Sequence, residues 1–466
     1  MNGRDIIWIT LESVRRDRTS LSDHSRDTTP FIRRLATDGD GTSFSNCVSH
    51  AIWTRPSSTS ILTGRAPSDH RVWSYDAALS RDITTIPEQL RARGYRTVAV
   101  SPIAQVSPAT GLDKGFDHFH YLGKKQLLHE VGLPTILKYV ANIHEHSAGF
   151  TRDTTKHSRG FFTQSVATRH IDRAAADREP LFLYVHLGDS HHAYYPPKRW
   201  NDRFVDDLDL PLDDALDVVL RMSNHLHEYI TRGLPFDDAE WNAIEILYDT
   251  CLAYVDSIAE SIVQCAQERL DDPLIVITAD HGESFGEHGL LAHMLVPHSG
   301  VTDVPLVVSG FDVPAGVEHG LVQPADVMAM ISTECELALE VPIGQDVRAV
   351  PRDFAVTQRG SSRPQNNFAK FREYDPAFDV TQFPAGEVNS IRNTDYRYQR
   401  SDDRTMLYDL ADETTSIHED HPDVIGLMDK ALDGWLDAYG RASGGEERTA
   451  RFSSDMKAQL RDLGYL

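Results

Sequence analysis

Apolar runs separated by amphipathic stretches dominate the front of this chain. Asp5-Ile6-Ile7-Trp8-Ile9-Thr10-Leu11 is apolar on both faces, as a strand in the middle of a parallel sheet is. Arg96-Thr97-Val98-Ala99-Val100, Leu181-Phe182-Leu183-Tyr184-Val185-His186 and Pro273-Leu274-Ile275-Val276-Ile277-Thr278 read as further strands. Between them lie helical patterns at 29–38 and 85–93, and a long amphipathic stretch over roughly 238–268. Strands alternating with helices predict an α/β fold, a mostly parallel central sheet covered by helices on both faces. Ligands in such folds bind at the carboxyl ends of the strands, so residues that follow the apolar runs carry the functional interest.

The texture changes after Pro342. Asn389-Ser390-Ile391-Arg392-Asn393, Tyr396-Arg397-Tyr398 and Arg404-Thr405-Met406-Leu407-Tyr408-Asp409-Leu410 read as short antiparallel strands. A helical pattern covers 423–439, and the polar stretch 361–367 reads as a loop. The predicted organisation is a catalytic α/β domain over 1–345 and a small α+β subdomain over 346–442. A charged linker and terminal helix over 443–466 follow, ending Leu463-Gly464-Tyr465-Leu466. Two polar stretches, 124–157 and 200–235, read either as insertions that cover a site or as surface excursions.

Composition narrows the class. The chain has 466 residues, 40% hydrophobic and 25% charged, within the normal range for a globular protein. Its net charge of -24 excludes a nucleic-acid scaffold and an anionic membrane surface as partners, since both need basic patches. Acidity with little Lys fits a cytoplasm of high salt, where solvated carboxylates keep a protein in solution. Cys47, Cys251, Cys265 and Cys335 form no C-x-x-C pair, so they read as reduced thiols. The chain opens without a basic-then-apolar leader and holds no stretch long enough to span a bilayer, which predicts a cytoplasmic protein with no integral membrane segment.

Several apolar runs end in residues with chemistry. Thr278-Ala279-Asp280-His281-Gly282-Glu283 ends a strand in an Asp-His pair, both of them metal-ligand types, with Gly282 free to turn sharply. Leu11-Glu12-Ser13-Val14-Arg15 ends another in a carboxylate, costly there unless paired with Arg15 or Arg16 or bound to a metal. Thr54-Arg55-Pro56-Ser57-Ser58-Thr59-Ser60 suits a helix start, which attracts anions; Thr54 is otherwise a simple N-cap. His186-Leu187-Gly188-Asp189-Ser190-His191-His192 follows a strand as well, and His191 could donate a proton to a leaving oxygen. His293, downstream of the Asp-His pair, is a further candidate.

Taken together these motifs resemble the sulfatase family of the alkaline phosphatase superfamily. Thr278-Ala279-Asp280-His281-Gly282-Glu283-Ser284-Phe285-Gly286-Glu287-His288-Gly289 meets the family signature at every fixed position. Ile61-Leu62-Thr63-Gly64-Arg65 resembles the end of the nucleophile segment. Asp189-Ser190-His191-His192-Ala193-Tyr194 resembles the central Asp-Pro-His-x-Pro-Tyr, and Val304-Pro305-Leu306 and Leu407-Tyr408-Asp409-Leu410 are family-like too.

Three positions depart from the sulfatase pattern. Thr54 stands where a Cys or Ser becomes formylglycine, Ser13 replaces the second Asp, and Ser58 replaces an Arg. The set Glu12, Thr54, Asp280 and His281 is similar instead to lipoteichoic-acid synthases and phosphoethanolamine transferases, in which a metal-bound Thr is the nucleophile. That resemblance implies one divalent metal ion (Mn, Mg, Zn or Ca left open) on Glu12, Thr54, Asp280 and His281. It implies Thr54 and His191 as catalytic residues, and Arg55 and His293 as contacts of a small-molecule or glycan ester. The implied function is hydrolysis of sulfate or phosphate esters. A cytoplasmic transferase in glycan or lipid-carrier assembly, and a non-catalytic ester-binding protein, are the alternatives.

Overall fold

The computed structural model describes residues 3–149, 156–442 and 447–462. Its centre is the strand Ile6–Leu11, buried at every position. Leu181–Leu187 and Leu274–Ala279 lie parallel on either side of it, which is why all three read as unbroken apolar runs. The sheet extends through Arg96–Ser101 to His118–Tyr121 on one side, both parallel. On the other side Leu306–Ser309 and Thr42–Ser43 add antiparallel edges, completing seven strands.

Helices cover both faces. The patterns at 29–38 and 85–93 are the helices Pro30–Thr37 and Ile86–Ala92, the second opened by a capping box between Thr85 and Glu88. The long amphipathic stretch is one helix, Asp238–Arg269, which buries Ile244, Leu247, Tyr248 and Cys251 toward the core. Its Asp256 carboxylate accepts the backbone N–H groups of Phe31 and Ile32 at 2.9 and 3.0 Å, holding the start of the Pro30–Thr37 helix against it.

The register fixes the edge where chemistry gathers. Leu11 pairs with Leu187 on one side and with Ala279 on the other. Glu12, Gly188 and Asp280, the next residues, therefore leave the sheet together at its carboxyl edge.

Behind this domain stands a four-stranded antiparallel sheet of Ala355–Arg359, Val388–Arg392, Tyr396–Ser401 and Thr405–Asp409. The helix Pro422–Tyr439 packs on it through Met428 and Leu432. The stretch 361–367, expected as a loop, instead begins the helix Ser362–Tyr374. Its buried face mixes Pro364, Phe368 and Phe371 with Arg363 and Asn367, which bond to buried polar groups, so its first turns read as polar in the sequence.

The polar stretch 124–157 holds the short helices Leu127–Val131, Leu133–Ala141 and Ile143–His146; the stretch 200–235 holds Leu212–Asn224 and Leu226–Thr231. The terminal helix is Ser454–Asp462, anchored by Met456 and Leu460 beside Trp53 and Tyr121. The expected ending Leu463-Gly464-Tyr465-Leu466 lies outside the described residues, as do 443–446 of the linker. No helix among the described residues is long and apolar enough to cross a membrane. All four cysteines are free thiols.

Candidate active site

Three loops from the carboxyl edge and one helix converge on a buried polar cluster. Glu12 follows the first strand and is fully buried. Ser13 after it takes a left-handed conformation (φ 56°), which lets its backbone N–H donate to Asp280 Oδ1 at 3.1 Å. Ser190 Oγ donates to the Glu12 carbonyl at 2.6 Å, and Ser57 Oγ to the Asp280 carbonyl at 2.5 Å. The strand ends are thus tied to one another and to the helix that carries Thr54.

Thr54 is the first residue of the helix Thr54–Thr63, which Gly64 ends in a left-handed conformation. Trp53, not Thr54, occupies the N-cap position. The Thr54 hydroxyl is therefore not used as a simple cap. It donates to Glu12 Oε1 at 2.5 Å and lies 3.4 Å from His281 Nε2. His281 Nδ1 lies 2.8 Å from the Gly282 carbonyl, so that nitrogen carries the proton and Nε2 presents its lone pair to Thr54. Nε2 is also 3.4 Å from Asp280 Oδ2.

His186 enters the same cluster, a role its sequence context did not signal. Its Nε2 contacts Glu12 Oε2 and lies 4.0 Å from Asp280 Oδ2, while Tyr184 Oη sits 3.3 Å from its Nδ1. Glu12, His186 and Asp280 each offer a ligand atom, all within 4.8 Å of one another and all buried. The available signal was a His just before the end of an apolar strand, beside the strand that Glu12 follows.

This donor set fits a divalent cation. Asp280 Oδ2 is buried and no hydrogen-bond donor reaches it among the described residues. Burial pushes the Glu12 carboxyl up to about 7. Burial and then the Glu12 charge push Asp280 well above the usual carboxylate range. Burial likewise lowers His186 to about 4, which leaves a neutral imidazole suited to a metal. Two crowded carboxylates beside neutral histidines is an arrangement that a cation stabilises.

A second group of histidines lies alongside. The rings of His281 and His293 are 4.2 Å apart, and those of His191 and His293 are 5.3 Å apart. His191 Nδ1 meets the His192 carbonyl at 2.8 Å, and His293 Nδ1 meets Glu283 Oε1 at 3.0 Å. Each ring is thereby oriented through its Nδ1. Burial lowers His191 to about 4 and His293 well below its usual value. Glu283, buried and aimed at His293, is another residue whose role the sequence did not reveal. Ser223, from the 200–235 stretch, lies 3.0 Å from His192 Nδ1.

Gly282 was expected to permit a sharp turn. Its need is space, because a Cβ there would sit 2.1 Å from the Gly300 carbonyl oxygen. Arg55 was expected to contact substrate. Its buried guanidinium donates from Nη1 to the carbonyls of Ser74, Tyr75 and Ala77 at 2.8–2.9 Å, and from Nε to Gln105 at 2.7 Å. Arg55 thus secures the loop beside the helix Thr54–Thr63. Arg15 does similar work, bonding Asp17, Glu287 and the Glu283 carbonyl so that the first and last loops stay joined.

The family described as Sulfatase matches residues 4–333. The chain is 21% identical over 413 residues to the uncharacterized sulfatase YidJ of Escherichia coli K12, covering 81% of this chain and 78% of that one. It is 23% identical over 385 residues to the multifunctional alkaline phosphatase superfamily protein PehA of Trinickia caryophylli, covering 71% and 73%. Its fold is similar to the phosphonate monoester hydrolase SpPMH of Silicibacter pomeroyi, with TM-score 0.70 and 20% identity over 97% of this chain and 100% of that chain. With the family matched across most of its length, the protein belongs to the sulfatase family of the alkaline phosphatase superfamily, enzymes of sulfuric and phosphoric ester chemistry.

Proposed function

We propose that this protein hydrolyses sulfate or phosphate esters through a covalent intermediate on Thr54. The observation that carries this reading is the Thr54 hydroxyl, 2.5 Å from Glu12 Oε1, inside the cluster of Glu12, His186, Asp280 and His281. A hydroxyl so placed has an acceptor for its proton and a helix N-terminus behind it. Glu12, His186 and Asp280 would hold a divalent cation, with Thr54 and His281 at its margin. That ion would make the hydroxyl more acidic and offset the negative charge of the ester.

The chain's own groups account for the proton movements. Thr54 Oγ1 attacks phosphorus or sulfur while its proton passes to Glu12. The bond to the alcohol oxygen breaks, and that oxygen takes a proton from Nε2 of His191 or His293. In the second half, water attacks the same centre and returns a proton to the histidine. The bond to Thr54 Oγ1 then breaks, and the hydroxyl recovers its proton from Glu12. At rest burial keeps both histidines neutral, and an arriving anion favours their protonated forms. Buried Glu283 on Nδ1 of His293 supports a charged ring there in the same way.

PehA is described as multifunctional and SpPMH as a phosphonate monoester hydrolase, which favours phosphorus esters among the first substrates to test. The test is a panel of aryl sulfate, phosphate monoester, phosphodiester and phosphonate monoester, assayed with metal-loaded protein and with Thr54→Ala. Turnover of at least one ester that is lost in Thr54→Ala is expected. Full activity of Thr54→Ala on every ester that the parent opens would overturn the reading.

A further inference from the structure

A cavity of about 290 Å3 opens beside His191 and His192. Lys124 and Arg159 contribute to its wall, and Asp455 and Gln459 of the terminal helix close it. That helix is held in place there: Gln459 donates to the Pro102 carbonyl at 2.8 Å and accepts from Tyr121 Oη at 2.8 Å. The strand pair of Arg448–Thr449 with Ala77–Ala78 fixes the approach to it.

The charges around this cavity are unevenly satisfied. The carboxylate of Asp455 pairs with Lys125 Nζ at 2.8 Å. Asp189, also on the wall, accepts the backbone N–H of Arg159 at 2.7 Å and so closes the start of the Gly160–Asp177 helix. The Arg159 guanidinium has neither a hydrogen bond nor an ion pair among the described residues, although Asp189 acts on it through space. Lys124 has no ion pair among the described residues either. Arg159 is half-buried on the cavity wall, and desolvation pulls it below its ordinary range. A partly desolvated guanidinium gains from an anion that reaches it, and its fork geometry matches a carboxylate, phosphate or sulfate.

We propose that this cavity is a subsite for a second anionic group, carried by the alcohol part of the ester. The substrate class is then an ester of an acidic alcohol, with one charge at the reacting centre and another held by Arg159 and Lys124. The inference rests on the proposal that the leaving oxygen lies on the His191 side. In a protein of net charge -24, a local pair of cations is also the feature that admits a doubly anionic ligand.

The test compares a phenyl ester with its 4-carboxyphenyl counterpart, using whichever of phosphate or sulfate the metal-loaded enzyme turns over. The parent is expected to prefer the carboxylated ester by about tenfold in kcat/KM, the worth of one charge-assisted hydrogen bond. In Arg159→Gln that ratio should fall to about one, and Arg159→Lys should restore part of it. A ratio near one in the parent, or an undiminished ratio in a folded Arg159→Gln, would overturn the subsite. Should Arg159→Gln fail to fold by circular dichroism, Lys124→Gln is read by the same ratio. Calorimetric binding of 4-hydroxybenzoate against phenol separates the subsite from the chemistry. If no ester is opened but 4-hydroxybenzoate binds in an Arg159-dependent way, the hydrolase reading fails and the subsite stands. Binding that ignores Arg159, or no binding, removes the subsite whatever the enzyme hydrolyses.

Discussion

Thr54 Oγ1 lies against two acceptors of different charge, Glu12 Oε1 at 2.5 Å and His281 Nε2 at 3.4 Å, and this sets the order expected among its substitutions. Thr54→Ser keeps the hydroxyl and should keep most activity. Thr54→Ala should lower kcat by about 10³-fold or more while still binding anionic products, as loss of a nucleophile does. Steady-state kinetics with product inhibition reads both; equal rates for the three proteins would be inconsistent with a covalent role. His186→Ala removes one of three converging ligand atoms, and competition with a chelating dye should show at least about tenfold weaker metal binding. Unchanged affinity would place the ion elsewhere. Glu12, Thr54 and Asp280 were legible in the sequence because each stands where an apolar strand ends or a helix begins. His186 and Glu283 were not, because a buried histidine or carboxylate declares its partner only when strands distant in sequence are set side by side.

At the scale of elements, the loop after Leu274–Ala279 depends on close backbone approach. Gly282→Ala would bring its Cβ against the Gly300 carbonyl at 2.1 Å, so either loop must shift. Overpacking of this kind costs about 1–3 kcal/mol, and urea unfolding should show it together with weakened metal binding. Stability equal to the parent would mean that the two loops separate freely. Asp256→Ala removes the acceptor that holds Phe31 N and Ile32 N, an expected loss of about 1–3 kcal/mol with activity little changed. An unaltered urea midpoint would show that water replaces the carboxylate. The central strands and the helices flanking them were visible as periodicity, since their burial is apolar. The start of the helix Ser362–Tyr374 was hidden because Arg363 bonds the carbonyls of His293 and Met294 and Asn367 bonds His227, so polar residues share its buried face with Phe368 and Phe371. The strand Ala355–Arg359 was missed as well; it is five residues long and ends in polar Gln358 and Arg359, both buried against the fold.

Across the whole molecule, two buried carboxylates and a surplus of negative charge predict a stability that depends on cations of two kinds. Chelation should lower the melting temperature, and a divalent ion at about 100 times its Kd should restore about 2.7 kcal/mol. No response to chelator or ion would argue against a cation on Glu12 and Asp280. Separately, the net charge of -24 predicts that the melting temperature climbs with KCl as self-repulsion is screened; a flat profile would remove the link to a high-salt interior. The two effects are distinguishable because the divalent ion acts at one stoichiometric site and KCl does not. Whether Thr54 carries the transferred group is read by stopping a reaction early and weighing the peptide that contains it. A phospho or sulfo adduct is expected on Thr54 in the parent and none in Thr54→Ala. An enzyme that turns over the same ester with the Thr54 peptide never modified, and with Thr54→Ala equally fast, would contradict it.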